Sequence, residues 1–283
     1  MSENTFVVKA SGEEAPFSIN KLRHSLRRAG AGKKAANRIA AEIQQILYPG
    51  ISTREIYRGA FSMLKNASPH TAARYRLKKA IMELGPTGFP FEKFVGEILK
   101  EEGYRVQVGQ MVQGHCVQHE VDVIAEKDSR HFMIECKFHS GQERKCDVKS
   151  PLYIHSRFKD IERAWLRKPG HGQKFHQGWL VTNTRFTTDA MQYGACAGLN
   201  LVSWNHPRKD NLKERISRLG LYPLTCLATL TKKEKQSLLD KGIVLCKELC
   251  RNEQWLKEMG LPPSRIGKVM EEASSICEST IQQ

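Results

Sequence analysis

The chain has 283 residues, with 45 Lys and Arg against 30 Asp and Glu for a formal charge of +15. That length holds two or three small domains, and a composition of 40% apolar and 27% charged residues excludes a disordered or fibrous chain. The positive excess points to a polyanionic partner, in soluble proteins most often nucleic acid, with a plain basic surface as the alternative. No apolar run is long enough to span a bilayer, and the start "MSENTFVVKASGEE" lacks the basic region and apolar core of a signal peptide. A cytoplasmic protein without membrane association is therefore expected. The eight cysteines form no CxxC pair, and no histidines stand at zinc-finger spacing, so buried reduced thiols are expected rather than a zinc site.

In chain order, residues 1–86 open on a short extended piece and continue in helical patterns. Ile19, Leu22, Leu26 and Ala29 form a first stripe behind Ser18, a candidate N-cap. Ile39, Ile43, Ile46 and Leu47 make a second, Ile56, Ala60, Met63 and Leu64 a third, and Leu77, Ile81 and Leu84 a fourth. The stretch "LGPTGFP" then reads as a linker. Residues 88–207 alternate between helix and strand: helix "FEKFVGEILKEEG" ending at Gly103, strands "YRVQVGQ", "HEVDVIAE" and "HFMIECKF", helix "LYIHSRFKDIERAWL", strand "GWLVTNT", helix "TTDAMQYGACAG" and strand "LNLVSW". Residues 215–283 read as mainly helical, with a Thr cap before "KKEKQ" and Pro263 near the start of the last helix. The fold class is thus multi-domain α/β: a hairpin-plus-helices domain, a central mixed sheet covered by helices, and a helical C-terminal region. That last region carries no motif with chemistry. Its basic helix starts suit weak DNA contact, and dimerisation or packing serves equally well. Trp179, Trp204 and Trp255 read as core residues.

Within "HFMIECKFH", Phe132, Ile134, Cys136 and Phe138 share one face of a strand, and Met133, Glu135 and Lys137 the other. In "EVDVIAE", Glu120, Asp122 and Ile124 share a face and Val121 and Val123 take the opposite one. The polar "EKDSRH" between these strands is compatible with a hairpin, which would bring Asp122, Glu135 and Lys137 together. Carboxylates so placed repel unless a cation sits between them, and oxygen ligands of this kind suit Mg²⁺ or Mn²⁺. A neighbouring Lys can orient a water whose pKa the metal lowers, the requirement for phosphodiester hydrolysis. Glu92 borders the apolar stripe of the preceding helix, where it is either a fourth acid of the site or an ordinary solvated glutamate. Glu120 ranks behind it. The structural alternative for the whole set is a surface salt-bridge ladder of little energetic weight.

"FEKFVGEILKEEGYRV", "EVDVIAE", "IECKF" and "GWLVTNTRFTTDAMQYGACAGLNLVSW" together resemble the PD-(D/E)xK nuclease superfamily and, within it, the Mrr-type restriction endonucleases. The resemblance implies a catalytic site at Asp122, Glu135 and Lys137, with Asp122 and Glu135 on the metal. Two positions depart from the pattern: Val121 replaces the usual Gly or Ile, and Glu135 stands where many members carry Gln. Thr187 or Thr188 in "VTNTRFTTDA" is a candidate helix cap. "GAGKKA" is no P-loop, because Arg27 holds the first Gly position and Lys34 the Ser/Thr position. Instead "VVKASGEEAPFSINKLRHSLRRAGA" through "AARYRLKKAIMELGP" resembles the ATP-cone, a regulatory nucleotide-binding module. That resemblance implies contacts to ATP or dATP from Val7, Lys9 and Lys21. The family's Arg-Asp-Gly is Ala10-Ser11-Gly12 here, and a packing or oligomerisation module is the alternative. The combined expectation is a metal-dependent DNA endonuclease set by a nucleotide, acting as a dimer or larger homo-oligomer, in restriction or defence. The competing expectation is a nucleotide-sensing DNA-binding regulator whose nuclease fold is silent.

Overall fold

The computed structural model describes residues 5–9, 12–167 and 175–278; Ala10 and Ser11, where the ATP-cone pattern is broken, lie outside them. The N-terminal part begins with β1 (Phe6–Val8), β2 (Glu14–Pro16), α1 (Ile19–Arg28), α2 (Lys33–Gln45), β3 (Ile51–Ser52), α3 (Thr53–Ala67) and α4 (Pro69–Met82). β1 pairs antiparallel with β2 and parallel with β3. Local chemistry sets the helix starts. Ser18 Oγ accepts from Lys21 N, a reciprocal Ser52–Glu55 pair opens α3, and Ser68 caps α4 just ahead of Pro69. Leu22, Leu26, Ile39, Ile43, Ile56, Ala60 and Leu64 close over Val7 and Ile51 in one small core.

Two of the expected stripes change. Ile46 is 53% exposed, because α2 stops at Gln45 and the capping residue leaves the apolar face. The fourth stripe is buried, but elsewhere. Leu77, Ala80, Ile81 and Leu84 turn away from the N-terminal core and join the larger core that holds the C-terminal helices. α4 is therefore shared between two cores, which couples the N-terminal part to the rest of the chain by ordinary packing.

The central part runs α5 (Phe89–Glu101), β4 (Arg105–Gln113), β5 (Gln118–Lys127), β6 (Arg130–Lys137), β7 (Lys145–Cys146), α6 (Lys149–Trp165), β8 (Phe175–Thr182), β9 (Arg185–Phe186), α7 (Thr188–Cys196) and β10 (Asn200–Val202). The five-stranded sheet has the order β10-β8-β6-β5-β4. β4, β5 and β6 form an antiparallel meander, and β8 and β10 add parallel to it. β5 and β6 are joined through Asp128 and Ser129, both at positive φ (50° and 58°), the backbone of a tight hairpin turn matched to strand twist. α5 covers one sheet face with Phe91, Phe94 and Ile98 against Ile134 and Trp179. α6 and α7 cover the other, with Ile154, Phe158 and Ala190 against Met133 and Leu180. Thr187 Oγ1 accepts from Ala190 N and is the cap of α7.

The C-terminal part holds α8 (Leu212–Leu219), a short 3₁₀ turn (Leu224–Cys226), α9 (Lys232–Asp240), α10 (Cys246–Arg251), α11 (Gln254–Glu258) and α12 (Pro263–Glu278). Thr231 and Glu234 cap α9 reciprocally, and Pro263 begins α12. No disulfide joins any of the eight cysteines, and no described helix is long and apolar enough to cross a membrane. Trp179 is 6% exposed, whereas Trp204 and Trp255 are only partly buried against the same core.

Lys235 on α9 is buried and donates from Nζ to the Thr225 carbonyl at 3.0 Å. Desolvation first, and the Arg76 cation second, bring its ammonium down to about 8. The folded state then binds fewer protons than the unfolded chain between pH 8 and 10.5, so stability should rise as pH climbs through that window. Lys235→Met should flatten the slope, read from urea midpoints at pH 7 and pH 10. An unchanged slope in the variant would rule the account out.

Candidate active site

The site lies where β5 and β6 part. Their ladder pairs Lys127 with Arg130 at the turn and runs to Val123 with Ile134. One step on, the Asp122 side chain takes over from the backbone: its Oδ2 accepts from Cys136 N at 2.7 Å. Asp122 is thus set beside Glu135, as hairpin pairing requires. Phe132, Ile134 and Cys136 enter the α5-side core and Met133 the opposite one, leaving Glu135 and Lys137 on the Met133 face at the strand end.

The alternation expected for β5 fails at this point. Val123 packs in the α5-side core while Val121, two residues earlier, packs with Met133 and Leu180 in the other, as does Ile124. Val121 and Val123 therefore do not share a face. On the neighbouring strand Val108 pairs Val123 and Gln110 pairs Val121, so Gly109 stands opposite Asp122, and its φ is +63°. A left-handed residue in a strand rolls the backbone. Here the roll coincides with the acid that leaves the ladder.

Glu92 comes from the first turn of α5. Its carboxylate folds back over the helix start, where Oε1 lies 2.8 Å from the position a Cβ on Gly88 would take. Burial, and then the charges of Asp122, Glu120 and Glu135, push it up to about 7. Glu135 is likewise raised to about 7, by burial and then by Asp122, with Arg157 opposing. Asp122 is raised chiefly by burial, although the Cys136 N–H favours its charged form. Three carboxyls are thus held where ionising them is costly and where each makes the others worse. Lys137 is exposed at the strand end.

Two residues of this region were not foreseen. Arg157 lies on the apolar face of α6 between Ile154, Phe158 and Ile161 and is buried. Its Nη1 donates to Glu135 Oε2 at 2.7 Å and its Nη2 to the Glu120 carbonyl. The available signal was an arginine interrupting the apolar stripe of a predicted helix. Asn183, fully buried, accepts from His139 N at 2.9 Å and donates to His139 O at 2.8 Å. Thr182 Oγ1 donates to Lys137 O at 2.7 Å. The polar run "TNT" at the end of β8 thus pins the backbone on which Lys137 stands.

Among the described residues no three acidic, His or Cys side chains form a ready metal cage. A pair fits a hard cation nonetheless. Oδ1 of Asp122 and Oε1 of Glu135 take no hydrogen bond from any described residue, and both carboxyls are partly buried. Mg²⁺ commonly uses one or two carboxylates and keeps water or phosphate oxygens for the rest. In the N-terminal part, Lys9 is exposed and ion-paired to Glu13 at 2.9 Å. Val7 is buried in the core, and Lys21 lines a separate cleft with α4 residues. No described contact unites these three expected nucleotide ligands.

A mixed five-stranded sheet with an Asp and a Glu-x-Lys at the split of two strands, an acid on the preceding helix and helices on both faces defines a restriction-endonuclease-like domain. Comparison with known families agrees: a family described as restriction endonuclease, the Mrr catalytic domain, matches residues 86–206, the ATP cone domain matches 5–81, and a family described as AF1548-like, C-terminal, matches 222–277. An uncharacterised protein of Archaeoglobus fulgidus is 34% identical over 183 residues, 64% of this chain and 99% of its own length. A crystal structure of a protein of unknown function, AF1548, is 32% identical with a TM-score of 0.57, covering 68% of this chain and all of the other. The chain belongs to this AF1548-like family and joins an ATP-cone domain to an Mrr-type restriction-endonuclease domain.

Proposed function

We propose that the protein is a metal-dependent DNA endonuclease controlled by a nucleotide at its ATP-cone. The observation that carries this reading is the Asp122–Cys136 hydrogen bond, which sets two desolvated carboxyls side by side next to Lys137. Asp122 and Glu135 would hold Mg²⁺ or Mn²⁺; the metal would supply Lewis acidity toward a phosphate and acidify a bound water. Lys137 would orient that water and offset charge on the phosphate. Glu92, raised to about 7, would accept or hold a proton near neutral pH. The +15 charge would supply the sequence-independent attraction to the DNA backbone. Cutting both strands calls for two such sites, so a homodimer or larger assembly would do the work, and defence against foreign DNA suits the family. ATP or dATP would act through Val7, Lys9 and Lys21.

The test is incubation with supercoiled plasmid and Mg²⁺, with and without ATP or dATP. Nicking or linearisation that responds to nucleotide is expected, and Lys137→Ala should show none of it. Wild type inert under every nucleotide condition, or cleavage retained in Lys137→Ala, would sink the reading. One observation favours a second reading, a nucleotide-sensing DNA-binding regulator: the Arg157 guanidinium already compensates Glu135, as in a silent site. That reading expects nucleotide-dependent DNA affinity with a steep salt slope and no response to metal.

A further inference from the structure

A cleft of about 560 Å³ opens between α1, α4, the segment after β10 and α8. Lys21, His24 and Arg28 enter it from α1 at spacings of three and four, so they share one helix face. Arg74 and Lys78 enter from α4 in the same way, and Lys213 from α8. No acidic side chain is among the described residues that line it. Arg74, Lys78 and Lys213 are half-buried, and none of the five Lys and Arg residues here forms an ion pair among the described residues. Two other cations, the half-buried Arg76 and the buried Arg215, show the contrast. Arg76 lies 2.9 Å from Glu83, and Arg215 reaches Glu102 at 3.0 Å and Asp210 at 2.7 Å. The cleft therefore concentrates positive charge that no carboxylate lining it pairs. Burial and then the Arg28 charge pull the Lys213 ammonium down, with Glu214 opposing and Arg74 adding to the shift; Lys78 is lowered by burial and then by Arg185, with Glu143 opposing.

Arg74, Lys78 and Lys213, partly stripped of water and without an ion-pair partner, are costly to gather without an anion, and the exposed Lys21 and Arg28 add to their repulsion. The volume is that of a small-ligand pocket, and a duplex would instead meet an extended basic surface. Trp204, half-buried, forms part of the wall and offers a flat surface to a base.

We propose that this cleft is a polyphosphate site that bridges the ATP-cone and α8, which Arg215 holds to Glu102 of the nuclease domain, and that a nucleoside triphosphate filling it ties α1 and α4 to α8. The proposal deepens the nucleotide-control reading and rests on it. It shares Lys21 with the site expected from the ATP-cone resemblance, but adds Arg28, Arg74, Lys78 and Lys213, the last from outside the cone. Occupancy then changes how firmly the cone is held against the domain that carries Asp122 and Glu135.

The experiment is calorimetric titration of the full chain, in EDTA, with ATP, dATP and inorganic tripolyphosphate. Lys213→Gln and Arg28→Gln should each weaken ATP and tripolyphosphate alike by about 10-fold or more, since charge-assisted contacts to phosphate are lost. The thermal midpoint of the unliganded Lys213→Gln protein should be unchanged or higher, because a repelled cation has been removed, so a folding defect is separable. If Lys213→Gln binds ATP as wild type does while Lys9→Ala does not, the triphosphate sits on the first strand; the cleft proposal then fails and nucleotide control survives. Wild type that binds neither nucleotide nor tripolyphosphate removes both. Binding of tripolyphosphate alone, lost in Lys213→Gln, keeps the anion site and ends the nucleotide reading. Should a short duplex displace tripolyphosphate and lose affinity in Lys213→Gln, the cleft is a DNA surface and the proposal is wrong.

Discussion

Asp122→Asn is expected to cut plasmid at least about 10³-fold more slowly than wild type and, without metal, to be the more stable protein at pH 8. Both outcomes come from one arrangement. Asn keeps the shape of Asp and can still accept from Cys136 N, so the strand split should survive. What disappears is the charge that, after burial, pushes Glu135 and Glu92 upward. A carboxyl raised in the folded state contributes stability that is complete below its ordinary value near 4.5 and is lost as pH rises through about 7. Wild type stripped of metal should accordingly weaken between pH 5 and pH 8. Asp122→Asn should relieve part of this, by about 1–2 kcal/mol at pH 8, and almost none at pH 5, where Glu135 and Glu92 are protonated. Mg²⁺ should raise the midpoint of wild type at pH 8 and leave the variant unmoved. Urea titrations at the two pH values decide it. A variant no more stable than wild type at pH 8 would show that the acids do not repel, and a cleaving variant that Asp122 is dispensable.

Much of this site was legible because local rules dictate it. The period of two separates Glu135 and Lys137 from the core-facing Ile134 and Cys136 whatever else the chain does. The same locality makes Ser18, Thr187 and Thr231 readable as caps. The failures share another cause: each depends on a neighbour distant in sequence. Val121 and Val123 part because of the strand roll at Gly109, which no count along β5 reveals. Leu77, Ile81 and Leu84 read correctly as a helical stripe, yet periodicity does not say which core a stripe enters, and theirs is shared with α5, the central sheet and residues beyond 200. The cleft cations look like solvated helix charges until α1, α4 and α8 are brought together. Arg157 sits 22 residues from Glu135, and its role depends on which face of the sheet α6 covers.

Arg157 also marks the point where stability and chemistry are hardest to separate, and its substitution has the second large expected effect. The guanidinium is buried and serves two groups, Glu135 Oε2 and the Glu120 carbonyl, so it fixes a carboxylate to the strand that bears Asp122. Removing one partner of a buried pair leaves the other charge without compensation, and Arg157→Ala should cost about 3–5 kcal/mol. Arg157→Lys keeps the charge but lacks the planar fork that reaches both acceptors, so it should restore only part. The kinetic signature is distinct from lost stability. Arg157 is the larger of the two cations that oppose the upward push on Glu135, ahead of Lys137. Without it the carboxyl stays protonated to higher pH, and the acid limb of the pH–rate profile should move up in Arg157→Ala and far less in Arg157→Lys. The double variant Arg157→Ala with Glu135→Gln removes the carboxylate that Arg157 pairs with, and should regain part of the stability while cutting no DNA. If the single and double variants are equally unstable, Arg157 acts through packing alone; if the acid limb stays in place, Glu135 is not the group it steadies.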